Sequence, residues 1–256
     1  MNLSKEKKVL LSASKKAGKI VLKYFCKKAK FEEKSNRSLV SQADLEANKI
    51  IIQTIKKNFP KHSILSEETG FEDNNSDYKW VIDPIDGTHN FLREIPIVGI
   101  SIALEYKDES VLGVLEFPTL NLTAFAEKGK GAFLNGKRLK VSANKEISHS
   151  FILYEFVPGT RHKTLEFLKR LSNETINTRN FGAAVYDLLV IASGQCDAMV
   201  IFTTNEWDIA AGMLLIQEAG GKVTDLRGNH CKPSTGNFLM TNGKIHGNIL
   251  RYLYDI

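Results

Sequence analysis

The sequence predicts an α/β protein made of two unlike halves, an α+β N-terminal half followed by an α/β C-terminal half. Three observations carry this reading. The chain has 256 residues, 43% of them apolar and 25% charged, with only 6 Pro, which is enough to bury a full core without disulfide or metal staples. Up to Lys61 the apolar residues recur mostly at helical spacing, and from Ile64 to Val141 short β-type runs dominate. Beyond about residue 150, strand-like and helix-like segments alternate, the pattern of helices covering sheet faces. The composition excludes a disordered or collagen-like chain. The longest wholly apolar runs are about five residues, Leu188 to Ala192 and Ala198 to Phe202, far short of the roughly 18 that a membrane span needs.

The first element is a helix, because Val9, Leu10, Ala13, Ala17, Ile20, Val21, Tyr24 and Phe25 recur at three-to-four spacing with lysines between them. Residues 1 to 37 hold twelve Lys or Arg against three Glu, so the formal net charge of +6 belongs to this end and the remainder is slightly acidic. Such a helix can lie on a polyanion, or it can be one face of a globular protein. A link around Phe31 to Ser41 leads to a second helix from Ala43 to Phe59, closed by Pro60. Strands are expected at Lys79 to Ile82, Val98 to Tyr106, Val111 to Phe117 and Thr123 to Glu127, then a hairpin at Asn135-Gly136. The alternating part reads strand Phe151 to Glu155, helix Thr160 to Leu171, strand Thr175 to Arg179, helix Ala183 to Ser193, strand Asp197 to Phe202 and helix Asp208 to Ala219. A boundary is placed near residue 145, in the polar Ser142 to Ser148 stretch. Cys26, Cys196 and Cys231 are far apart, odd in number and free of C-x-x-C spacing. Neither a disulfide framework nor a zinc site is indicated, and a reducing cytoplasm is expected.

The most informative segment runs from Trp80 to Phe91. A buried-type strand ends at Asp83, Asp86 follows three residues later, and Pro84 stiffens the bend between them. Two carboxylates held close repel each other unless a divalent cation sits between them, and hard oxygen ligands suit Mg²⁺ or Mn²⁺. Gly87-Thr88 can open a helix, whose free N–H groups attract an anion such as phosphate. The alternative is a plain turn whose aspartates cap the next helix. Glu67-Glu68 stand at another strand end and Asp208 at a helix start, where a solvated strand end and an N-cap are the plain alternatives.

These residues also carry a family resemblance. Asp83-Pro-Ile-Asp86-Gly-Thr-His-Asn-Phe91, preceded by Glu67-Glu68 and followed by Trp207-Asp208-Ile-Ala-Ala-Gly212, resembles the inositol monophosphatase family of Mg²⁺-dependent, lithium-sensitive phosphatases. The likeness runs from about Lys34 to Asn242 and includes Gly131-Ala-Phe-Leu-Asn-Gly136 and Phe181-Gly-Ala-Ala184. It implies a layered αβαβα sandwich, with residues 1–145 carrying most metal ligands and residues 146–256 completing the site, in a homodimer. It further implies that Glu67, Asp83 and the Ile85 carbonyl bind a first metal, and Asp83, Asp86 and Asp208 a second, with a weaker third ion near Glu67. Gly87 and Thr88 would present N–H groups to phosphate, with Asp86, Ala184 and Asp208 also facing the substrate. Water held by Glu67 and the Thr88 hydroxyl would attack phosphorus at a site anchored by Asp83, without a covalent phosphoenzyme. His89, Trp207, Ser66 and Glu68 are expected to be structural.

Three positions depart from the animal pattern. Ser38 stands where an Asp often precedes the mobile loop, Ser41 replaces a Thr although Asp44 is kept, and Ile201 stands where inositol-specific enzymes tend to carry a Glu. Ile201 cannot accept a hydrogen bond from a ring hydroxyl, which favours a broader sugar or polyol phosphate range. Asp187 and Phe156 to Arg161 remain as substrate-facing groups. His89-Asn90 argues against the 3′(2′),5′-bisphosphate nucleotidase branch, whereas Thr204 to Asp208 resembles it. Some bacterial relatives are known for RNA or transcription-complex binding, a role for which Lys15, Lys16, Lys19 and Lys23 would be the contacts.

Overall fold

The computed structural model describes residues 2–25, 27, 31–33, 39–175 and 177–256, with the backbone path alone at 31–33 and 39–41. Expectations for Cys26, Ser38 and Ile176 lie outside the described residues, as does the Ser41 side chain. Helix α1 (Ser4–Tyr24) turns Val9, Leu10, Ala13, Ala17 and Val21 inward. The link contains a short antiparallel pair, β1 (Phe31–Glu33) and β2 (Leu39–Ser41), followed by α2 (Gln42–Asn58).

The first sheet takes β3 (Ser63–Ser66), β4 (Gly70–Glu72) and β5 (Tyr78–Asp86) and, after the short helix α3 (Thr88–Leu92), β6 (Gly99–Tyr106), β7 (Glu109–Phe117), β8 (Leu122–Glu127), β9 (Gly131–Leu134) and β10 (Lys137–Arg138). Its order is β10-β9-β8-β7-β6-β5-β3-β4. Asn135 and Gly136 both take positive φ, 47° and 79°, as a tight hairpin between β9 and β10 requires. In β6 the large residues Ile100, Ile102 and Leu104 face one way, and Ser101 and Ala103 the other. The large face packs on α1 and α2. The small face lets a helix come close to the sheet.

That helix belongs to the second part, which runs β11 (Ile152–Tyr154), α4 (Arg161–Leu171), β12 (Thr178–Arg179), α5 (Ala184–Ala192), β13 (Ala198–Ile201), α6 (Glu206–Glu218), β14 (Lys222–Thr224), β15 (Phe238–Thr241) and α7 (His246–Leu253). Its sheet has the order β12-β11-β13-β15-β14. Strands β12, β11 and β13 are parallel, as the alternation predicts. Strand β15 is antiparallel to both β13 and β14. The alternating pattern stops at Ala219, so β14, β15 and α7 are absent from the sequence expectation, and they turn the parallel sheet into a mixed one.

Three buried clusters define the layers. One lies between α1–α2 and the first sheet, a second between that sheet, α5–α6 and the inner face of the second sheet, and a third between the outer face of the second sheet and α4–α7. The result is the αβαβα sandwich. The first sheet ends at Arg138 and the second begins at Ile152.

Candidate metal centre and active site

Strand alternation would send residues three apart to opposite faces. Asp83 pairs with Ser101 and Asp86 with Gly99, so β5 spends three steps where β6 spends two, which is a bulge. The extra residue brings Asp83 and Asp86 round to the same end of the sheet. Pro84, which has no N–H to place in the ladder, fits inside that bulge. Asp208 arrives from the first turn of α6. Carboxylate oxygens of Asp83, Asp86 and Asp208 lie within 4.8 Å of one another.

Each of the three aspartates uses one oxygen to fix itself. Asp83 Oδ1 accepts the Ile85 N–H at 3.0 Å, and Asp86 Oδ2 accepts the Val185 N–H at 3.0 Å. Asp208 Oδ2 accepts from the Thr204 hydroxyl at 3.0 Å and the Asn205 N–H at 3.1 Å. Among the described residues the other oxygen of each receives no donor, and no Lys or Arg forms an ion pair with any of them. Burial first, then the Glu67 charge, pushes Asp83 well above the usual carboxylate range. Burial and then the Asp208 charge push Asp86 up, against the Val185 N–H. Asp208 is pushed up to about 6 by burial, with the Asn205 N–H opposing. An all-oxygen cluster this crowded, with three uncommitted oxygens, fits a hard divalent cation.

The capping alternative holds for Asp208 but not for Asp83 and Asp86. The N-cap of α3 is Gly87, at φ 82° and with no side-chain cap, so neither Asp83 nor Asp86 caps that helix. Asp208 is the third residue of α6; the N-cap is Asn205, and Asp208 accepts its N–H in a capping box, so one Asp208 oxygen does serve the helix end. A Cβ on Gly87 would lie 3.0 Å from both Ala183 Cβ and the Ile97 carbonyl oxygen, so glycine is required by conformation and by space. The Thr88 hydroxyl donates to the Ile85 carbonyl at 3.2 Å. Glu67 follows β3, with its N–H donating to the Ile82 carbonyl at 3.1 Å, and its charge reaches Asp83 and Asp208. It stands outside the group of three. Ala184 opens α5, one residue before the Val185 N–H that Asp86 accepts.

The remaining expected residues fall as follows. His89 is exposed. Ser66 is buried and donates to Asn48 at 2.8 Å, while accepting the Glu68 N–H at 3.3 Å. Trp207 packs against the central core, its carbonyl accepting from the Ser101 hydroxyl at 3.0 Å. Ile201 is 2% exposed in the same core. In α1, Lys15 is bound to Glu116 at 2.8 Å, Lys16 to Thr54 at 3.2 Å and Lys23 to Glu46 at 3.2 Å. Of the four expected polyanion contacts, Lys19 alone is uncommitted among the described residues, because the helix spends the others on its own fold.

Sequence reasoning missed Glu155 and the part that Asp187 plays with it. Asp187, expected to face substrate, is instead fully buried in α5, and neither oxygen makes a hydrogen bond of ordinary geometry. Glu155, just past β11, accepts from Asn180 at 3.2 Å, and its other oxygen faces Asp187 unpartnered. Burial first and then the Glu155 charge push Asp187 well above the carboxylate range. The signal was a single acid inside the otherwise apolar run Val185 to Ala192.

The chain is 35% identical over 246 residues to the fructose-1,6-bisphosphatase/inositol-1-monophosphatase of Thermotoga maritima, covering 94% of this chain and 93% of that one. It is 33% identical over 253 residues to Nus factor SuhB of Escherichia coli, covering 96% and 95%. The solved structure of the extragenic suppressor protein suhB from Bartonella henselae superposes with a TM-score of 0.92 at 33% identity, covering 98% and 99%. The protein is a phosphoric monoester hydrolase. The model of the inositol monophosphatase family matches residues 2–256, and the chain belongs to that family.

Proposed function

We propose that this chain is a Mg²⁺-dependent phosphatase of inositol monophosphate or a related small sugar or polyol phosphate, with Mn²⁺ as a substitute ion. The observation that carries the reading is the group of buried Asp83 and half-buried Asp86 and Asp208, with carboxylate oxygens within 4.8 Å and one uncommitted oxygen each. In this reading Glu67, Asp83 and the Ile85 carbonyl hold one cation, and Asp83, Asp86 and Asp208 a second. Bound cations supply Lewis-acid neutralisation of phosphoryl charge and acidify water. Glu67 and the Thr88 hydroxyl orient the attacking water. Gly87 and Thr88 offer N–H groups to phosphate, and Asp86, Ala184 and Asp208 line the substrate side. We take the chain to act in the cytoplasm as a lithium-sensitive homodimer, with residues 1–145 and 146–256 as subdomains meeting at the site.

Ile201, buried and apolar at the end of β13, supports a range wider than inositol, as does the double name of the Thermotoga relative. The test is turnover of inositol 1-phosphate, fructose 1,6-bisphosphate and adenosine 3′,5′-bisphosphate, with and without Mg²⁺. Metal-dependent release from either of the first two is expected, and a preference above about tenfold for the nucleotide would assign the nucleotidase reaction instead.

An additional RNA or transcription-complex role is favoured by the likeness to Nus factor SuhB. Lys8, Lys19, Lys49 and Lys57 are exposed on α1 and α2 with no carboxylate partner among the described residues. RNA binding that weakens steeply with salt and with Lys19→Gln is expected, and salt-independent or absent binding removes the role.

A further inference from the structure

The acidic group draws on β5 of the first sheet and on α6 of the second part, so something must hold the segment before α5 against the loop after β5. Asp86 makes one tie, through the Val185 N–H. A second lies one turn further along. Asn90, in α3 and 8% exposed, donates from Nδ2 to the Ile97 carbonyl at 2.9 Å and to the Phe181 carbonyl at 2.8 Å. Both amide hydrogens are thereby spent, one on the segment between α3 and β6 and one on the segment before α5. A Cβ on Gly182 would lie 3.2 Å from Asn90 Oδ1, so the 181–182 backbone is seated directly on this side chain. Between the two ties Ala183 fills the space that a Cβ on Gly87 would need. The pairs 86–185 and 90–181 therefore act as two rungs joining the loop to the start of α5.

We propose that Asn90 is a positioning residue for the reaction: its two-carbonyl clamp sets residues 181–185, and hence the substrate side of the cleft, relative to the metal-binding aspartates. This rests on the phosphatase reading. Among the described residues no other side chain reaches both carbonyls, and the nearest substitutes fail on chemistry. Asp has no hydrogen for either carbonyl, and Ser is too short and has one donor where two acceptors wait.

Asn90→Ala and Asn90→Ser in the full chain test this, with Ser kept as the milder variant should Ala fail to fold. Three readouts are needed. Amide hydrogen exchange of metal-free protein should speed up selectively over residues 181–187. Turnover of inositol 1-phosphate with Mg²⁺, well below either melting temperature, should fall about 10²-fold in kcat/KM, the scale of a 1 Å misplacement. Mn²⁺ affinity by calorimetry should stay within about threefold, because none of the ligands is touched. Unchanged exchange at 181–187, or kcat/KM within about twofold of wild type, would overturn the inference. So would Mn²⁺ affinity falling in parallel with activity, since Asn90 would then serve the metal site or the fold alone. If the wild type binds Mn²⁺ but hydrolyses none of the esters, the phosphatase reading fails. The clamp is then judged on the exchange data and on the affinity of Mn²⁺-loaded protein for inorganic phosphate, which should drop in the variants.

Discussion

Asp83→Asn should have opposite effects on stability and function. Asn keeps the oxygen that accepts the Ile85 N–H and removes one charge from a group of three oxygens within 4.8 Å. At an effective dielectric near 20, two full charges at that separation repel by about 3 kcal/mol. Protonation already relieves part of this, because all three carboxyls are pushed up. A net gain of roughly 1–2 kcal/mol remains for the metal-free protein at pH 8, or about 2–8 °C in Tm for a chain of this size. With saturating Mg²⁺ the order should reverse, since the wild type gains binding free energy that the variant has lost. Turnover should fall by about 10³-fold or more. Paired thermal melts in EDTA and in Mg²⁺, with a phosphate-release assay, give all three numbers. A variant less stable than wild type in EDTA, or near-normal activity in saturating Mg²⁺, would refute the reasoning.

Two further outcomes follow from the same geometry. Asp187 is held above its ordinary pKa, so its contribution to stability is fully present below the unfolded value near 4 and is lost as pH rises through the folded one. Asp187→Asn cannot ionise, so its Tm advantage over wild type should grow from pH 5 to pH 8, by at most about 1.4 kcal/mol per pH unit; an advantage independent of pH would show that Asp187 is not the titrating group. Gly87→Ala forces a Cβ into a left-handed position 3.0 Å from Ala183 and the Ile97 carbonyl, and should cost about 1–3 kcal/mol. Chemical denaturation would read that cost, and a loss below about 0.5 kcal/mol would mean that the loop accommodates the methyl group.

Most of the helices and strands were legible because apolar periodicity is a direct imprint of burial, whereas the layer order came from the family resemblance. The stripe in α1 and the alternation in β6 both appear in the sequence as they do in the fold. The acidic loop was legible for a different reason, since Asp83-Pro84-Ile85-Asp86-Gly87 is local and the bulge keeps it together. What escaped depends on contacts between distant residues. The antiparallel pairing of β15 with β13 has no local signature. The clamp from Asn90 to Phe181 spans 91 residues, and the Glu155–Asp187 pair exists only because folding brings the residue after β11 to α5. The basic end misled in the other direction. Lys15 and Lys23 looked like polyanion contacts, yet each is partnered by a Glu that folding brings to it.

The central claim is that Asp83, Asp86 and Asp208 together hold the catalytic cations. Calorimetric titration of Mn²⁺ into chelator-stripped wild type and Asp208→Asn tests it most directly. The account predicts about two ions per chain for the wild type, and the loss of at least one in the variant while its circular dichroism spectrum is retained. Equal stoichiometry and affinity in the two proteins would contradict it.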